Sequence, residues 1–166
     1  MGNKKRLLIT GVSGLLANNL AWYFRDAYEV IGTYLEHPIT ITGLSIFRCD
    51  VVDQADIKRV IRECIPDVVI HCVALTNLDQ CEENKTRCEQ LNQGSTKNLV
   101  EAIRSLGKEV KLVYISTDGV YDGRNGNFSE NDPIAPQNYY GVSKYAGEQE
   151  ALRIQGALIL RTNFFG

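Results

Sequence analysis

Tyr140 and Lys144 stand four residues apart in Asn138-Tyr139-Tyr140-Gly141-Val142-Ser143-Lys144. On a helix that spacing puts both side chains on one face. A free phenol ionises near pH 10 and is a poor acid–base group at neutral pH. A neighbouring ammonium favours the phenolate and is expected to lower that value toward a useful range. Two hydroxyls, Ser116 and Thr117, close an apolar run just upstream. A Tyr–Lys pair alone also reads as exposed helix surface; the hydroxyls before it make proton transfer to a carbonyl oxygen the stronger reading.

A second constellation lies near the start. Leu7-Leu8-Ile9-Thr10-Gly11-Val12-Ser13-Gly14-Leu15-Leu16-Ala17 orders a strand, a glycine turn and a helix start. Gly11 permits the sharp turn, Gly14 lets a pyrophosphate approach the backbone, and Ala17 is small enough for helix to pack on strand. Amides and dipole at the helix N-terminus then bind the diphosphate. Two glycines three apart are weak evidence alone, and the flanking strand and helix strengthen them. Beyond the second strand, Thr33, Tyr34 and Leu35 occupy the stretch where an acid would hold a ribose 2'-hydroxyl or an Arg a 2'-phosphate. Glu36, the nearest carboxylate, also reads as a solvated loop residue, so NAD and NADP both stay open.

The elements that must carry these residues alternate in type. Strands are predicted at 6–10, 29–33, 43–48, 68–72, 110–116 and 157–160. Helices are predicted at 15–26, 54–64, 86–106 and 139–154, with a Gly-, Asn- and Pro-bearing loop over 117–137. Strands apolar on both faces and separated by helices imply a parallel sheet covered on both sides. The expected fold is a doubly wound, Rossmann-like α/β sheet in three αβα layers, with residues 1–166 forming one dinucleotide-binding domain.

Composition narrows the classes further. Of 166 residues, 44% are hydrophobic and 23% charged, and a net charge of -2 offers no basic field for nucleic acid. Lys4, Lys5 and Arg6 read as a solvated chain end. Five cysteines, an odd number without a Cys-x-x-Cys pair, argue against a disulfide framework or a zinc site. Reduced, mostly buried thiols and the lack of a membrane-length apolar stretch or signal peptide are expected of a cytoplasmic protein that binds neither metal nor membrane. Arg6 stands where a myristoylation signal needs Ser or Thr.

The segments LLITGVSGLLA, ISTDGVYDG and NYYGVSKYAGE resemble the extended short-chain dehydrogenase/reductase family, and within it the branch of dTDP-4-dehydrorhamnose reductases. The resemblance continues through PDVVIHCVALTNLDQCE, LNQGSTKNLVEA and ALILRT. It implies Tyr140 as general acid, Lys144 as its partner touching the nicotinamide ribose, Thr117 as a hydrogen-bond donor to the substrate carbonyl, and Asn92 in the proton relay. It assigns Gly11, Val12, Ser13, Gly14, Leu15 and Leu16 to the dinucleotide turn. Asp50 and Val51 match the adenine-contacting pair, though Asp50 also reads as a simple cap. Cys72, Val73, Ala74 and Leu75 match the segment lining NAD or NADP.

The implied reaction is hydride transfer to a keto carbon of a nucleotide-bound sugar. Thr117-Asp118-Gly119 lacks the carboxylate that dehydratases of the family carry at the third place. An epimerase uses the same Tyr and Lys and stays open. Gly119 also departs from the reductases, where an aromatic is common, which leaves the sugar undefined. The regulatory beta subunit of methionine adenosyltransferase resembles the same reductases and binds a dinucleotide without turnover, so a non-catalytic role is a further alternative. Family members carry a second, substrate-binding lobe and often form homodimers. This chain is therefore expected to be an N-terminal portion of a longer protein, to bind cofactor weakly and to turn over little.

Overall fold

The computed structural model describes residues 4–163. Six strands form one sheet: β1 (Arg6–Thr10), β2 (Glu29–Tyr34), β3 (Ser45–Arg48), β4 (Val68–His71), β5 (Lys111–Thr117) and β6 (Leu158–Thr162). All pairings are parallel, in the order β3-β2-β1-β4-β5-β6. That order reverses direction between β1 and β4, and ligands of such sheets bind at the carboxyl ends of the strands beside this switch point.

Strand periodicity divides the core. Leu7 and Ile9 point to one face, where they pack with Val30, Ile70, Ala17 and Ala21 of α1 (Leu15–Phe24). Leu8, Val69 and Leu112 point to the other face, against Ile57, Val60 and Ile61 of α2 (Gln54–Cys64), Leu99 and Ile103 of α5 (Ser95–Arg104), and Ala151 of α6 (Tyr139–Ala151). The predicted three-layer architecture is thus present. Near β6 the α1 face is uncovered, and Leu152, Leu158 and Leu160 are exposed there.

Two expectations need correction. The single helix predicted over 86–106 is broken into α4 (Lys85–Glu89), a π-helical turn (Gln90–Gly94) and α5, preceded by α3 (Leu78–Glu83), which apolar periodicity did not reveal. The break between α3 and α4 is set by Asn84, whose side chain caps α4 by accepting from the Arg87 amide. The cysteines are not all reduced: Cys81 and Cys88 are joined in a disulfide, with Cα atoms 5.0 Å apart. Seven residues across the α3–α4 break bring two fully buried sulfurs to one side, a juxtaposition that an unbroken helix from residue 86 does not show. Cys49, Cys64 and Cys72 are free. Phe164, Phe165 and Gly166 lie outside the described residues.

Candidate active site

The start of α1 is the one place where a described helix of eight residues or more opens after a loop without a side-chain cap. Its N-cap is Gly14, with no capping bond and no acidic residue in the first turn. By contrast, Asp53 caps α2 and Asn138 caps α6. Amides at a helix start are orphan donors carrying partial positive charge, so those of α1 are left for an anion. The preceding turn is rigidly held: the Val12 amide donates to the Thr33 carbonyl at 2.8 Å, and the Gly14 amide to the Gly11 carbonyl at 2.9 Å. The Thr33 hydroxyl accepts from the Gly11 amide at 3.3 Å. Gly11 has φ of +76°, and an added Cβ would stand 3.0 Å from Val73 Cγ2, so only glycine turns the chain here without strain.

Beneath the turn runs a buried polar chain. Thr10 Oγ1 and His71 Nδ1 lie 2.8 Å apart, and His71 Nε2 reaches Ser95 Oγ at 3.3 Å. Burial, with Lys144 adding repulsion, lowers the His71 pKa to about 3, so the ring stays neutral. Thr10 Oγ1 also accepts from the Cys72 amide, joining the ends of β1 and β4.

Across the cleft, β5 and α6 bring the proposed chemical groups together. Thr117 is buried at the end of β5, where its hydroxyl accepts from the Gly119 amide at 3.0 Å. Lys144 is 2% exposed; its Nζ donates to the Ile115 carbonyl at 2.6 Å and lies 4.1 Å from the Tyr114 ring centroid. Burial lowers the Lys144 pKa to about 7, against a smaller opposing pull from Glu148. The expected lowering of Tyr140 does not occur. Burial raises its pKa, and a hydrogen bond with Thr117 opposes that rise. The ammonium expected to stabilise a phenolate is turned toward Ile115 and Tyr114 instead. Tyr140 is therefore a phenol that keeps its proton at neutral pH, the state a proton donor requires.

Asn92 stands apart from the residues that line the cleft between the α1 turn and α6. It is buried in the π-helical turn, where its Oδ1 accepts from the Leu75 amide at 2.7 Å. Its Nδ2 donates to the Leu75 carbonyl at 3.0 Å and to Ser143 Oγ at 2.9 Å. One carboxamide thus ties the loop after β4 to α6 between Tyr140 and Lys144. A π-helical turn commonly marks such a functional position.

A cleft of about 880 Å³ joins the two halves. Gly11, Gly14, Leu15 and Leu16 line one wall, and Thr117, Tyr140 and Lys144 the other. A smaller cavity of about 240 Å³ opens from the same turn toward the ends of β2 and β3, lined by Gly11, Ser13, Gly14, Asp50, Val51, Cys72, Val73 and Ala74 among others. Val12 is the exception among the expected turn residues: its side chain is fully buried under Gly32, and it contributes packing rather than a wall. Asp50 Oδ1 accepts from the Val52 amide, which leaves the capping of α2 to Asp53. A larger apolar groove of about 1190 Å³ against β6 holds none of the glycines of the turn and neither Tyr140 nor Lys144.

Sequence reasoning missed Glu148 and Arg161. Glu148 is 1% exposed, accepts from Ser116 Oγ at 2.5 Å, and is held by Arg161 through Nη2 at 2.7 Å and Nε at 3.0 Å. Arg161 Nη1 donates to the Tyr121 hydroxyl at 2.7 Å, and that hydroxyl to the Ser129 carbonyl at 2.9 Å. The network fastens β6 and the loop after β5 to the helix carrying Tyr140 and Lys144. An Arg within the apolar strand ALILRT, and a Glu one helical turn beyond Lys144, were the available signals.

With this geometry in place, comparison with known proteins identifies the group. A family model described as RmlD substrate binding domain matches residues 5–165. The chain belongs to that family. It is 35% identical over 162 residues to methionine adenosyltransferase 2 subunit beta of Danio rerio, covering 95% of this chain and 47% of that protein. It is 33% identical over 168 residues to dTDP-4-dehydrorhamnose reductase of Mycobacterium tuberculosis, covering 97% of this chain and 50% of that one. The solved dTDP-4-dehydrorhamnose reductase of Bacillus anthracis, in complex with NADP, superposes with a TM-score of 0.82 at 30% identity, covering 97% of this chain and 54% of its own. The chain thus spans about half the length of the curated relatives it matches. Among the described residues, no helix is long and apolar enough to cross a membrane.

Proposed function

We propose that this chain is the dinucleotide-binding half of an NAD(P)H-dependent reductase acting on a nucleotide-linked 4-keto-6-deoxy sugar. The observation that carries the reading is the single cleft in which an uncapped helix start faces a Tyr–Lys–Thr cluster. The residues fit the cofactor: the first turn of α1 has amides without a side-chain cap, no carboxylate to repel a diphosphate, and a φ-positive glycine beside it. Gly11, Ser13, Gly14, Leu15 and Leu16 would hold the diphosphate, Asp50 and Val51 the adenine, and Cys72, Val73 and Ala74 the middle of the molecule.

A bound reduced nicotinamide supplies the hydride. The protein's part is orientation and a proton. Tyr140 holds its proton at neutral pH and donates it to the substrate oxygen as charge grows there; Thr117 turns its hydroxyl from Asp118 to donate a second hydrogen bond. Lys144, fixed on the Ile115 carbonyl, lies behind Tyr140 on the same helix and keeps a donor near the ribose. Asn92 positions α6 and does not touch the reacting atoms. The second, sugar-holding half would follow in a longer polypeptide and cover the apolar strip at Leu158 and Leu160.

The test is oxidation of NADH or NADPH by the complete polypeptide with a dTDP-4-keto-6-deoxy-hexose, comparing wild type with Tyr140→Phe. Keto-sugar-dependent oxidation, lost in the variant, supports the reading. Interconversion of sugar epimers without net oxidation would make the protein an epimerase. The likeness to the methionine adenosyltransferase beta subunit supports a second reading, a dinucleotide-binding regulatory partner. Tight cofactor binding with no keto sugar reduced, together with co-purification with a methionine adenosyltransferase catalytic subunit, would favour it.

A further inference from the structure

Resting on the dinucleotide reading above, we infer that the site takes the cofactor with a free 2'-hydroxyl, NAD(H), in preference to its 2'-phosphorylated form. In a doubly wound sheet the adenosine ribose lies at the end of the second strand, where the side chains that follow decide between hydroxyl and phosphate. A phosphate monoester brings about -1.5 to -2 of charge at neutral pH and is recognised by fixed cations, arginine above all. The wall here has the opposite sign. Thr33, Tyr34 and Leu35 line the 240 Å³ cavity from β2, and Cys49, Asp50 and Val51 line it from beyond β3; Asp50 is its one charged lining residue. The next residue along from Leu35 is the exposed carboxylate Glu36. A further carboxylate stands behind, since Asp56 Oδ2 accepts from the Asp50 amide at 2.8 Å.

The arginine that faces Asp56 is committed elsewhere. Arg59 is bound to Asp56 at 2.6 Å, to Glu63 at 3.2 Å and to the Arg48 carbonyl at 3.1 Å. Arg48, paired with Tyr34 in the sheet register, lies outside the cavity lining, and its charge acts on Asp56. Thr33, the hydroxyl nearest the turn, accepts from the Gly11 amide, and its carbonyl accepts from Val12. A 2'-phosphate placed here would meet neutral side chains and carboxylates, whereas a 2'-hydroxyl needs only an acceptor, which Glu36 or the backbone after Tyr34 supplies.

The experiment is titration calorimetry of this chain with NADH and with NADPH, repeated on Leu35→Arg and on Glu36→Arg, which replaces an exposed residue and is safe for folding. NADH is expected to bind about tenfold tighter than NADPH or better, and each arginine to narrow that ratio mainly by tightening NADPH. Equal binding, or tighter NADPH, overturns the inference while leaving the dinucleotide reading standing; loss of that NADPH binding in Arg48→Ala would then identify the cation responsible. Failure of both nucleotides to bind overturns the dinucleotide reading and this inference with it.

Discussion

The turn between β1 and α1 and the helix α6 face each other across one cleft, yet they are assembled from different materials. The turn is a backbone structure: its amides and carbonyls bond to one another and to β2, and its side chains are small or point away. The α6 side is held by buried side chains, with Lys144 on a main-chain carbonyl and Glu148 gripped by Ser116 and Arg161. Anion binding needs many weak, fixed dipoles, which a backbone provides without titrating. Proton transfer needs one titratable group in one place, which requires other buried groups to pin it. Substitutions should therefore act on the first region through shape and on the second through charge.

The sharpest separation is Tyr140→Phe. It should lower keto-sugar reduction by the complete polypeptide about 10²–10⁴-fold, while the dissociation constant for the dinucleotide changes little; steady-state rates and calorimetry check the two halves independently. Glu148→Gln leaves Arg161 facing a neutral partner in a nearly buried site. Removing one member of such a pair costs about 3–5 kcal/mol, read as a lower urea midpoint, and the double change Glu148→Leu with Arg161→Met should recover much of it. Gly147→Ala comes next: an added Cβ would stand 2.5 Å from the Asn92 carbonyl. Overpacking of that kind costs about 1–3 kcal/mol, visible by thermal melting. Gly11→Ala should cost less stability, about 1–2 kcal/mol for a residue forced to positive φ, but weaken dinucleotide binding disproportionately. Full binding in Gly11→Ala would erase the contrast between the two regions.

The pH dependence follows from two buried groups on the cleft side of the sheet. His71 titrates near pH 3 when folded and at 6.5 when unfolded, so above pH 6.5 it costs nothing. As pH falls from 6.5 toward 3, the unfolded chain takes up a proton that the native state refuses, and stability declines by up to about 1.4 kcal/mol per pH unit from this group. Lys144 follows the same sign at higher pH: its pKa is lowered from 10.5 to about 7, so stability rises between those values. Urea midpoints measured from pH 4 to 7, for wild type and His71→Gln, isolate the first term; parallel curves would contradict it.

Much of this was legible in sequence. The dinucleotide turn is local, a strand, two glycines and a helix start in eleven residues, so Leu7 to Ala17 could be read directly. The Tyr140–Lys144 spacing was likewise local, and β1 and α2 fell where periodicity placed them. What spacing did not carry was long-range. The π-helical turn exists because Asn92 bonds Leu75 and Ser143, partners 17 and 51 residues away. The Glu148–Arg161 pair joins a helix to a strand, and the Cys81–Cys88 disulfide joins two short helices without apolar periodicity. The direction of the Tyr140 shift was misread because helical spacing puts an ammonium on the same face but does not say where it points; here β5 offers it a carbonyl at 2.6 Å.

Amide chemical shifts of the chain titrated with NADH test the central claim most directly. One nucleotide lying between the α1 start and α6 should perturb residues 11–17, residues 72–75 and the amides around Tyr140 and Lys144 together, at one stoichiometry and one dissociation constant. Perturbation confined to the β6 groove, or of the turn without α6, would contradict it.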